Sequence, residues 1–366
     1  MTSKERLTRC YFGQEIDRPG VYSRTGFPQN DPSYDKLKAY LWEYSDCKAG
    51  WSIANILTPY PTDVERRGYS AEYRQTITTL HTPAGDLTEI FFEGVNDKPG
   101  FCRKHFISEP KDIETYLSLP LPEVRGDTAG FFEAERNMGD RGIVEILLGS
   151  NPGGTAAELM GSENFAMFSI TDRELLHVLC EREMKIKKMA IEFLLTNRVG
   201  PFFSMLGEEY IVPPLHGSKD FYDFNVRYDK EILDLIHNGG GRVHIHCHGP
   251  LKTVLNGFID MGADVVHPIE PPPMGNITAA EAKNILRGKV CIEGNIQISN
   301  MYEATPEQIA SETRALIQDA FDDRKGLIVC PTASPYIPHA GLVCFDQYKA
   351  MVDTVLDFGK TKLPGA

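Results

Sequence analysis

The chain has 366 residues, 42% hydrophobic and 24% charged, which is the composition of an ordinary folded globular protein. Its formal net charge of −13, without a lysine- or arginine-rich run, argues against nucleic acids and anionic membrane surfaces as partners. No apolar stretch is long enough for a transmembrane helix, and residues 1–20 lack the apolar core of a signal peptide. The eight cysteines show no CxxC spacing, so we expect reduced thiols and a cytoplasmic protein.

The first half of the chain contains four segments with strand character, and two helical patterns follow the last two of them. The strand segments are PGVYSR (19–24), GWSIAN (50–55), GIVEILLGSNP (142–152) and VGPFFSMLGEEY (199–210), and the helical patterns cover about 172–196 and 219–237. Between the second and third strands, residues 74–94 form two β-rich runs around TPAGD. These two runs predict a β-hairpin insertion.

The second half alternates helix and strand more regularly. Helices are predicted at 228–240, 250–263, 276–288, 305–321 and 344–360, and strands at 242–247, 264–270, 289–295 and 326–331. Thr305 followed by Gln308 is a capping box that marks one helix start. Short strands alternating with helices indicate parallel strands joined by crossover helices.

This alternation fits either an open doubly wound sheet or a (β/α)8 barrel. No GxGxxG motif opens a strand–helix unit, and the strand segments can be counted to eight. We therefore predict an α/β protein with one (β/α)8 barrel domain over residues 1–366, interrupted by the hairpin at about 74–94.

The segment RVHIHCHGP (242–250) carries three histidines at alternate positions. Because side chains alternate faces along a strand, His244, His246 and His248 share one face and Cys247 points the other way. A single buried histidine is usually only hydrogen-bonded. Three on one face would be costly to bury without a metal or a carboxylate. His246 and His248, nearest the strand end, are the better candidate ligands.

Functional residues of barrels lie where strands end, and the following strands end in Glu270, in Glu293 with Asn295, and in Cys330. His246, His248, Glu270 and Cys330 would supply four ligands of the types that zinc prefers. Further candidates carry weaker predictions. Glu209 and Glu293 are the candidate acid/base residues, and the candidate substrate-binding residues are Glu208, Asn295, Tyr336 and His339. Capping of the following segment is the structural alternative for Glu208 and Glu209, and loop packing is the alternative for Tyr336 and His339. His267 and Cys291 are taken as structural.

Three segments resemble the uroporphyrinogen decarboxylase superfamily: residues 3–21, residues 244–270 and KVCIEGNIQ (289–297). The resemblance spans nearly the whole chain, is strongest from about 219 to 356, and implies a (β/α)8 barrel. It also implies one of two chemistries. One is the cofactor-free decarboxylation of porphyrin synthesis, and the other is zinc-dependent methyl transfer with corrinoid proteins.

The chain departs from both patterns. Where the decarboxylases carry an arginine-rich RQAGR motif, YSRTGFPQND (22–31) keeps only Arg24. The methyltransferases use a His-x-Cys-Gly ligand pair and a distant cysteine. Alignment on Gly249 places His246 on the family histidine and His248 on the first cysteine, with Cys330 as a shifted second cysteine. Glu270 matches the glutamate ligand of the related cobalamin-independent methionine synthases.

Imidazole in place of one thiolate makes zinc a stronger Lewis acid, better suited to oxygen than to sulfur. We therefore expect methyl transfer from an O-methylated small molecule to a corrinoid carried by a partner protein. The alternatives are a cofactor-free decarboxylase, a methylcorrinoid:thiol methyltransferase, a zinc hydrolase using Glu209 or Glu293 as base, and a non-catalytic binding barrel. Homodimerisation and a folate acceptor are left open.

Overall fold

The alternation of strand and helix produces a parallel eight-stranded sheet, in the order β1-β12-β11-β10-β9-β8-β7-β2, which confirms the predicted (β/α)8 barrel. The computed structural model describes residues 1–95 and 98–360. The strands there are β1 Gly20–Val21, β2 Cys47–Ser52, β3 Thr62–Gly68, β4 Tyr73–Thr82, β5 Gly85–Gly94, β6 Phe101–Lys104, β7 Gly142–Ser150, β8 Phe202–Leu206, β9 Arg242–His246, β10 Val265–His267, β11 Cys291–Ile296 and β12 Leu327–Pro331.

The helices pack around this sheet and cover it from solvent. They are α1 Ser3–Tyr11, α2 Asp35–Tyr44, α3 Pro110–Leu117, α4 Ala129–Met138, α5 Pro152–Met160, α6 Ser162–Thr171, α7 Arg173–Thr196, α8 Ser218–Phe221, α9 Arg227–Asn238, α10 Leu255–Met261, α11 Ala279–Leu286, α12 Asn300–Glu303, α13 Pro306–Ala320 and α14 Phe345–Lys360. A π-helical turn, Tyr222–Val226, joins α8 to α9. Within the described residues, none of these helices has both the length and the apolarity to cross a bilayer.

Local sequence signals fix several helix ends. Thr305 and Gln308 form the expected capping box of α13, since each side chain accepts the other residue's backbone N–H. Gly262 ends α10 in the left-handed conformation, at φ +94°. Strands β10, β11 and β12 are buried along their whole length, as expected of parallel strands covered by helices.

Asp46 closes the seam between β1 and β2 with its backbone N–H and its carboxylate. The Asp46 N–H donates to the carbonyl of Val21 (2.8 Å), and Asp46 Oδ2 accepts the Val21 N–H (2.9 Å). The Asp46 side chain is fully buried, and it forms ion pairs with Arg6 (2.7 Å) and Arg18 (3.1 Å). A buried ionic cluster therefore joins β1 to the start of β2, the two strands at the ends of the sheet order.

The insertion is larger than the predicted hairpin. Strands β4 and β5 form the hairpin around Pro83 and Ala84, but β3 and β6 add to its two edges to give an antiparallel sheet in the order β3-β4-β5-β6. Leu80 and Leu87 pair across the hairpin, are buried, and pack into the main hydrophobic core. This apolar contact attaches the insertion sheet to the barrel.

The Asp46 cluster predicts a large stability effect. We expect Asp46→Ala to lower the free energy of unfolding by about 3–5 kcal/mol, because it leaves two buried guanidinium groups without their shared partner. Chemical denaturation followed by circular dichroism measures this. Glu5→Gln is the control, because it breaks only the exposed Glu5–Arg9 pair and should change stability little. Equal effects of the two substitutions would contradict the role of Asp46.

Candidate functional site

A cavity of about 470 Å³ opens inside the barrel at the carboxyl ends of the strands. Inward-facing positions alternate along each strand, so one side chain in two reaches the cavity. The residues that carry its chemistry are Arg24 after β1, Lys48 on β2, Glu145 on β7, Ser204 on β8, His244 and His246 on β9, and Glu293 on β11. The cavity therefore lies where barrel enzymes place their active sites.

The two cavity histidines of β9 occupy successive inward layers. His244 is buried and contacts Ser204 through Nδ1 (3.0 Å). His246 lies one layer of side chains closer to the mouth of the cavity. Cys247, between His246 and His248, is fully buried in the surrounding apolar core and lines no part of this cavity. Its thiol therefore faces away from the histidines.

His267 on β10 is the neighbour of His246 across the sheet. The strand register pairs the two residues, their Nδ1 atoms lie 2.9 Å apart, and their rings stack at a centroid distance of 5.1 Å. His267 Nε2 lies 3.0 Å from the carbonyl of Pro331, which can only accept, so this nitrogen carries the proton. Burial and the nearby Arg24 guanidinium hold the pKa of His267 well below its usual value.

This arrangement assigns the tautomer of His246. Because neutral His267 keeps its proton on Nε2, its Nδ1 accepts hydrogen bonds from Arg24 Nη1 (3.2 Å) and from His246 Nδ1. His246 then has a free lone pair on Nε2. Burial, with the charge of Arg24 nearby, lowers the pKa of His246 to about 2, so the ring is neutral at physiological pH.

A buried ion cluster lies deeper in the barrel. The Lys48 ammonium contacts Glu293 Oε2, Glu145 Oε1 (3.3 Å) and the Tyr11 hydroxyl (2.9 Å). Burial alone would lower the pKa of Lys48, but the carboxylates of Glu145 and Glu293 outweigh it and raise that pKa. Burial likewise opposes ionisation of Glu293, but two neighbours, Lys48 with the larger effect and His244 with the smaller, hold its pKa well below the usual range. The cluster is therefore charged.

One oxygen of this cluster has no hydrogen-bond partner. Glu293 Oε1 is buried, and so is His244 Nε2, 3.6 Å away, which also lacks a hydrogen-bond partner among the described residues. The donor atoms of His267, Glu293 and Cys330 all lie within 4.8 Å of one another, and all three residues are buried. Imidazole, carboxylate and thiolate are the ligand types of zinc. The carboxylate with its unpartnered oxygen and the thiol therefore fit a zinc ion, beside the cations of Arg24 and Lys48, whereas His267 would bind zinc through Nδ1 only in place of the hydrogen bonds from Arg24 and His246.

At the rim, His248 and Glu270 form a separate pair. His248 Nδ1 lies 3.3 Å from Glu270 Oε2, which also accepts the N–H of Gly249 (3.2 Å). Burial would raise the pKa of Glu270, but His248 lowers it below the ordinary value. Asn295 donates to the carbonyl of Ile269 (2.9 Å) and so holds the backbone next to Glu270.

The four ligands predicted from the sequence are thus distributed over two groups. Cys330 belongs to the compact inner group, His248 and Glu270 form the rim pair, and His246 lies between them, with its ring 4.7 Å from that of His248 and 5.1 Å from that of His267. Which of these residues bind zinc stays a prediction.

Glu208 and Glu209, adjacent in sequence, have different surroundings. Glu208 is fully buried outside the cavity, and both its carboxyl oxygens lack a hydrogen-bond partner among the described residues. Burial, with Asp229 nearby, raises its pKa well above the usual value. Glu209 is half-buried and near His248 of the rim pair, but it does not line the cavity either, and its Oε2 accepts the N–H of Gly207 (3.0 Å). Burial raises its pKa while His248 opposes this effect.

Tyr336 and His339 lie on the loop that follows β12. The Tyr336 side chain is 58% exposed, and its ring contacts Tyr302. The His339 side chain is 84% exposed, and its backbone N–H donates to Asp31 (2.6 Å). The structure places both residues on the outer surface of the loop, and neither lines the cavity.

Sequence reasoning missed Lys48, Glu145 and His267. Glu145 did leave a signal, because it is a single charged residue within the predicted strand 142–152, a position that charged residues rarely occupy without a partner. Lys48 left none, because it precedes the predicted strand 50–55, whereas β2 begins at Cys47. The sequence signal for His267 is weaker, since only the β9–β10 register shows that its side chain faces the same side as that of His246.

Comparison with known proteins agrees with this fold. A search of curated protein sequences finds no match. The methyltransferase from Methanosarcina mazei is a similar solved structure, at 16% identity and a TM-score of 0.66, covering 98% of this chain and 99% of that one. A B12-independent methionine synthase from Shewanella sp. W3-18-1, in complex with selenomethionine, has 13% identity and a TM-score of 0.45, covering 66% and 70%.

A family profile described as uroporphyrinogen decarboxylase (URO-D) matches residues 148–356. The match begins near the end of β7 and extends into α14, so it includes the histidines of the site, Glu270, Glu293 and Cys330. It covers more than half of the sequence, and the chain therefore belongs to the uroporphyrinogen decarboxylase family.

Proposed function

We propose that this protein is a zinc-dependent methyltransferase that moves a methyl group from an O-methylated small molecule to a corrinoid carried by a partner protein. The observation that carries the proposal is His246, a neutral imidazole with a free Nε2 in the cavity wall, beside the compact group of His267, Glu293 and Cys330. The family and the fold of the Methanosarcina mazei methyltransferase support it.

The proposed reaction breaks the bond between the donor oxygen and its methyl carbon and forms a bond from that carbon to cobalt. Co(I) provides both electrons of the new bond, and the donor oxygen leaves with the electrons of the old one and takes up a proton. When bound, zinc supplies Lewis-acid chemistry, which favours the departure of an oxyanion.

The chain's own residues prepare the cavity for this step. Lys48 keeps Glu293 ionised, and Arg24 and the Pro331 carbonyl together fix the tautomer of His267 and, through it, that of His246. Glu209, near His248 of the rim pair, is the proposed proton donor to the departing oxygen, because burial favours its protonated form.

The charge of the cavity favours methyl transfer over decarboxylation of a polycarboxylate. Among the cavity-lining residues of the described chain, Arg24 is the only arginine, and its guanidinium contacts His267. Lys48, the other cation, contacts two carboxylates and the hydroxyl of Tyr11. A substrate with several carboxylates would find few free cations to bind.

The first test removes His246. We expect His246→Ala to lower zinc content by one equivalent per chain and to reduce methyl transfer by more than about 100-fold, because a ligand is lost. Metal analysis and cob(I)alamin methylation, followed by visible absorbance, measure the two effects. His81→Ala, on the exposed surface of the insertion sheet, should change neither. Unchanged zinc content and turnover in His246→Ala would contradict the proposal.

The second test compares adjacent glutamates. We expect Glu209→Gln to lower kcat by about 100-fold, since it removes a proton donor, while zinc content stays constant. Glu208→Gln should leave kcat nearly unchanged, because the raised pKa of Glu208 keeps it protonated and glutamine has the shape of the neutral acid. A larger loss in Glu208→Gln than in Glu209→Gln would reverse the assignment.

The third test identifies the class of reaction. Purified protein with cob(I)alamin is expected to form methylcobalamin from at least one donor in a panel of methanol and methoxylated benzoates. The same protein is offered methylcobalamin and a thiol acceptor. Thiol methylation without any activity toward the oxygen donors would show that the chain catalyses the thiol-methylating half-reaction instead.

A further inference from the structure

A second group of metal-ligating side chains lies on the insertion sheet. Glu89 on β5, Cys102 on β6 and His105 just after β6 bring one carboxylate oxygen, the thiol sulfur and one imidazole nitrogen within 4.8 Å of one another. None of the three lines the barrel cavity. The proposed methyl transfer gives this group no role, so it needs a separate explanation.

A β-bulge explains why these residues meet. On β5, Ile90 pairs with Lys104 and Phe91 with Cys102, so Arg103 is an extra residue without a partner. Cys102 therefore shares the face of Phe91 and Glu89, while Lys104 turns to the opposite face, where its ammonium donates to Thr88 (2.6 Å).

The same bulge brings His105 into the group. In a regular strand, residues three apart point to opposite faces, so Cys102 and His105 would be separated. One extra residue between them restores a common face. It also removes the ammonium of Lys104 from that face, so this lysine does not compete there for the Glu89 carboxylate.

His105 is oriented as a metal-binding histidine usually is. Its Nδ1 lies 3.1 Å from the backbone carbonyl of Glu158 in α5, which can only accept, so Nδ1 carries the proton and Nε2 keeps a lone pair. Such a carbonyl contact is the common means of fixing a ligand histidine. A Cβ at Gly161 would lie 2.6 Å from this Nε2, so a larger residue at that position would crowd the nitrogen.

The other two groups make few polar contacts. Among the described residues, the half-buried Glu89 carboxylate accepts no hydrogen bond and forms no ion pair, and burial raises its pKa although the neighbouring His105 opposes this effect. The Cys102 sulfur contacts the carbonyl of Lys104 (3.2 Å), which is the contact of a thiol rather than a thiolate. A bound cation would compensate the carboxylate and replace the thiol proton.

We propose that Glu89, Cys102 and His105 form a second metal site, which takes a zinc-type divalent cation with water as the fourth ligand. The site joins β5 and β6 to a histidine that is hydrogen-bonded to α5, so the metal fastens the outer part of the insertion sheet to the barrel. This second metal site goes beyond the proposed methyl transfer, and the inference does not depend on that proposal.

The test measures zinc in untagged, dialysed protein. Cys102→Ser and Glu89→Gln should each lose one equivalent per chain, while Glu93→Gln, on the same face of β5 but hydrogen-bonded to Thr76, should keep full zinc content. Zinc should raise the melting temperature of metal-free wild type more than that of metal-free Cys102→Ser. Equal zinc content in Cys102→Ser, Glu89→Gln and wild type would overturn the proposal.

Variants of residues in the barrel distinguish the metal site of the insertion sheet from the proposed zinc site of the barrel. His246→Ala should retain the insertion metal, and the double variant with Cys102→Ser should lose it. In a Cys330→Ser background, Co²⁺ should still give a thiolate charge-transfer band, which Cys102→Ser abolishes. Loss of all metal in His246→Ala alone would refute the insertion site. Loss of all metal in Cys102→Ser alone would support the insertion site and refute zinc at the barrel mouth.

Discussion

The ion pairs of the buried Lys48 ammonium are the interactions on which the charged groups inside the barrel depend. The ammonium lies between Glu145 and Glu293 at the inner end of the cavity, where all three side chains are largely buried and an unpaired carboxylate costs several kcal/mol. Because Lys48 compensates them, both carboxylates can be kept inside the barrel. The other oxygen of Glu293 then lies near His244, and the Glu293 carboxylate also lies close to His267 and Cys330, so Lys48 keeps one candidate ligand of this group ionised.

A second constraint passes from the backbone to the cavity through two histidines. The carbonyl of Pro331 fixes the proton of His267 on Nε2, and His267 Nδ1 then requires the proton of His246 on Nδ1. The free nitrogen of His246 is thus determined by strand β12, two strands beyond β10. The free nitrogen of His105 is set in the same way, by one backbone carbonyl. In both places the protein fixes a tautomer with a group that cannot itself titrate.

The sequence predicted what depends on local pattern. The order of strands and helices, the barrel, the capping box at Thr305 and the opposite facing of Cys247 and the histidines all follow from residue spacing. The ion cluster does not, because Lys48 and Glu293 are 245 residues apart in the chain and their contact depends on how the barrel closes. His267 was missed for a related reason, since its side-chain direction depends on strand register.

The insertion shows the same limit in a smaller element. Strand β3 is exposed at every position and has no apolar alternation, so the sequence carries no sign of it; its pairing with β4 depends on backbone hydrogen bonds. A sheet with so little apolar area on its outer strand is weakly held by burial. Its apolar attachment at Leu80 and Leu87 lies near the turn between β4 and β5. The contact of His105 with α5 lies just after β6, so a metal there would link β5 and β6 to the barrel at the edge of the sheet opposite β3.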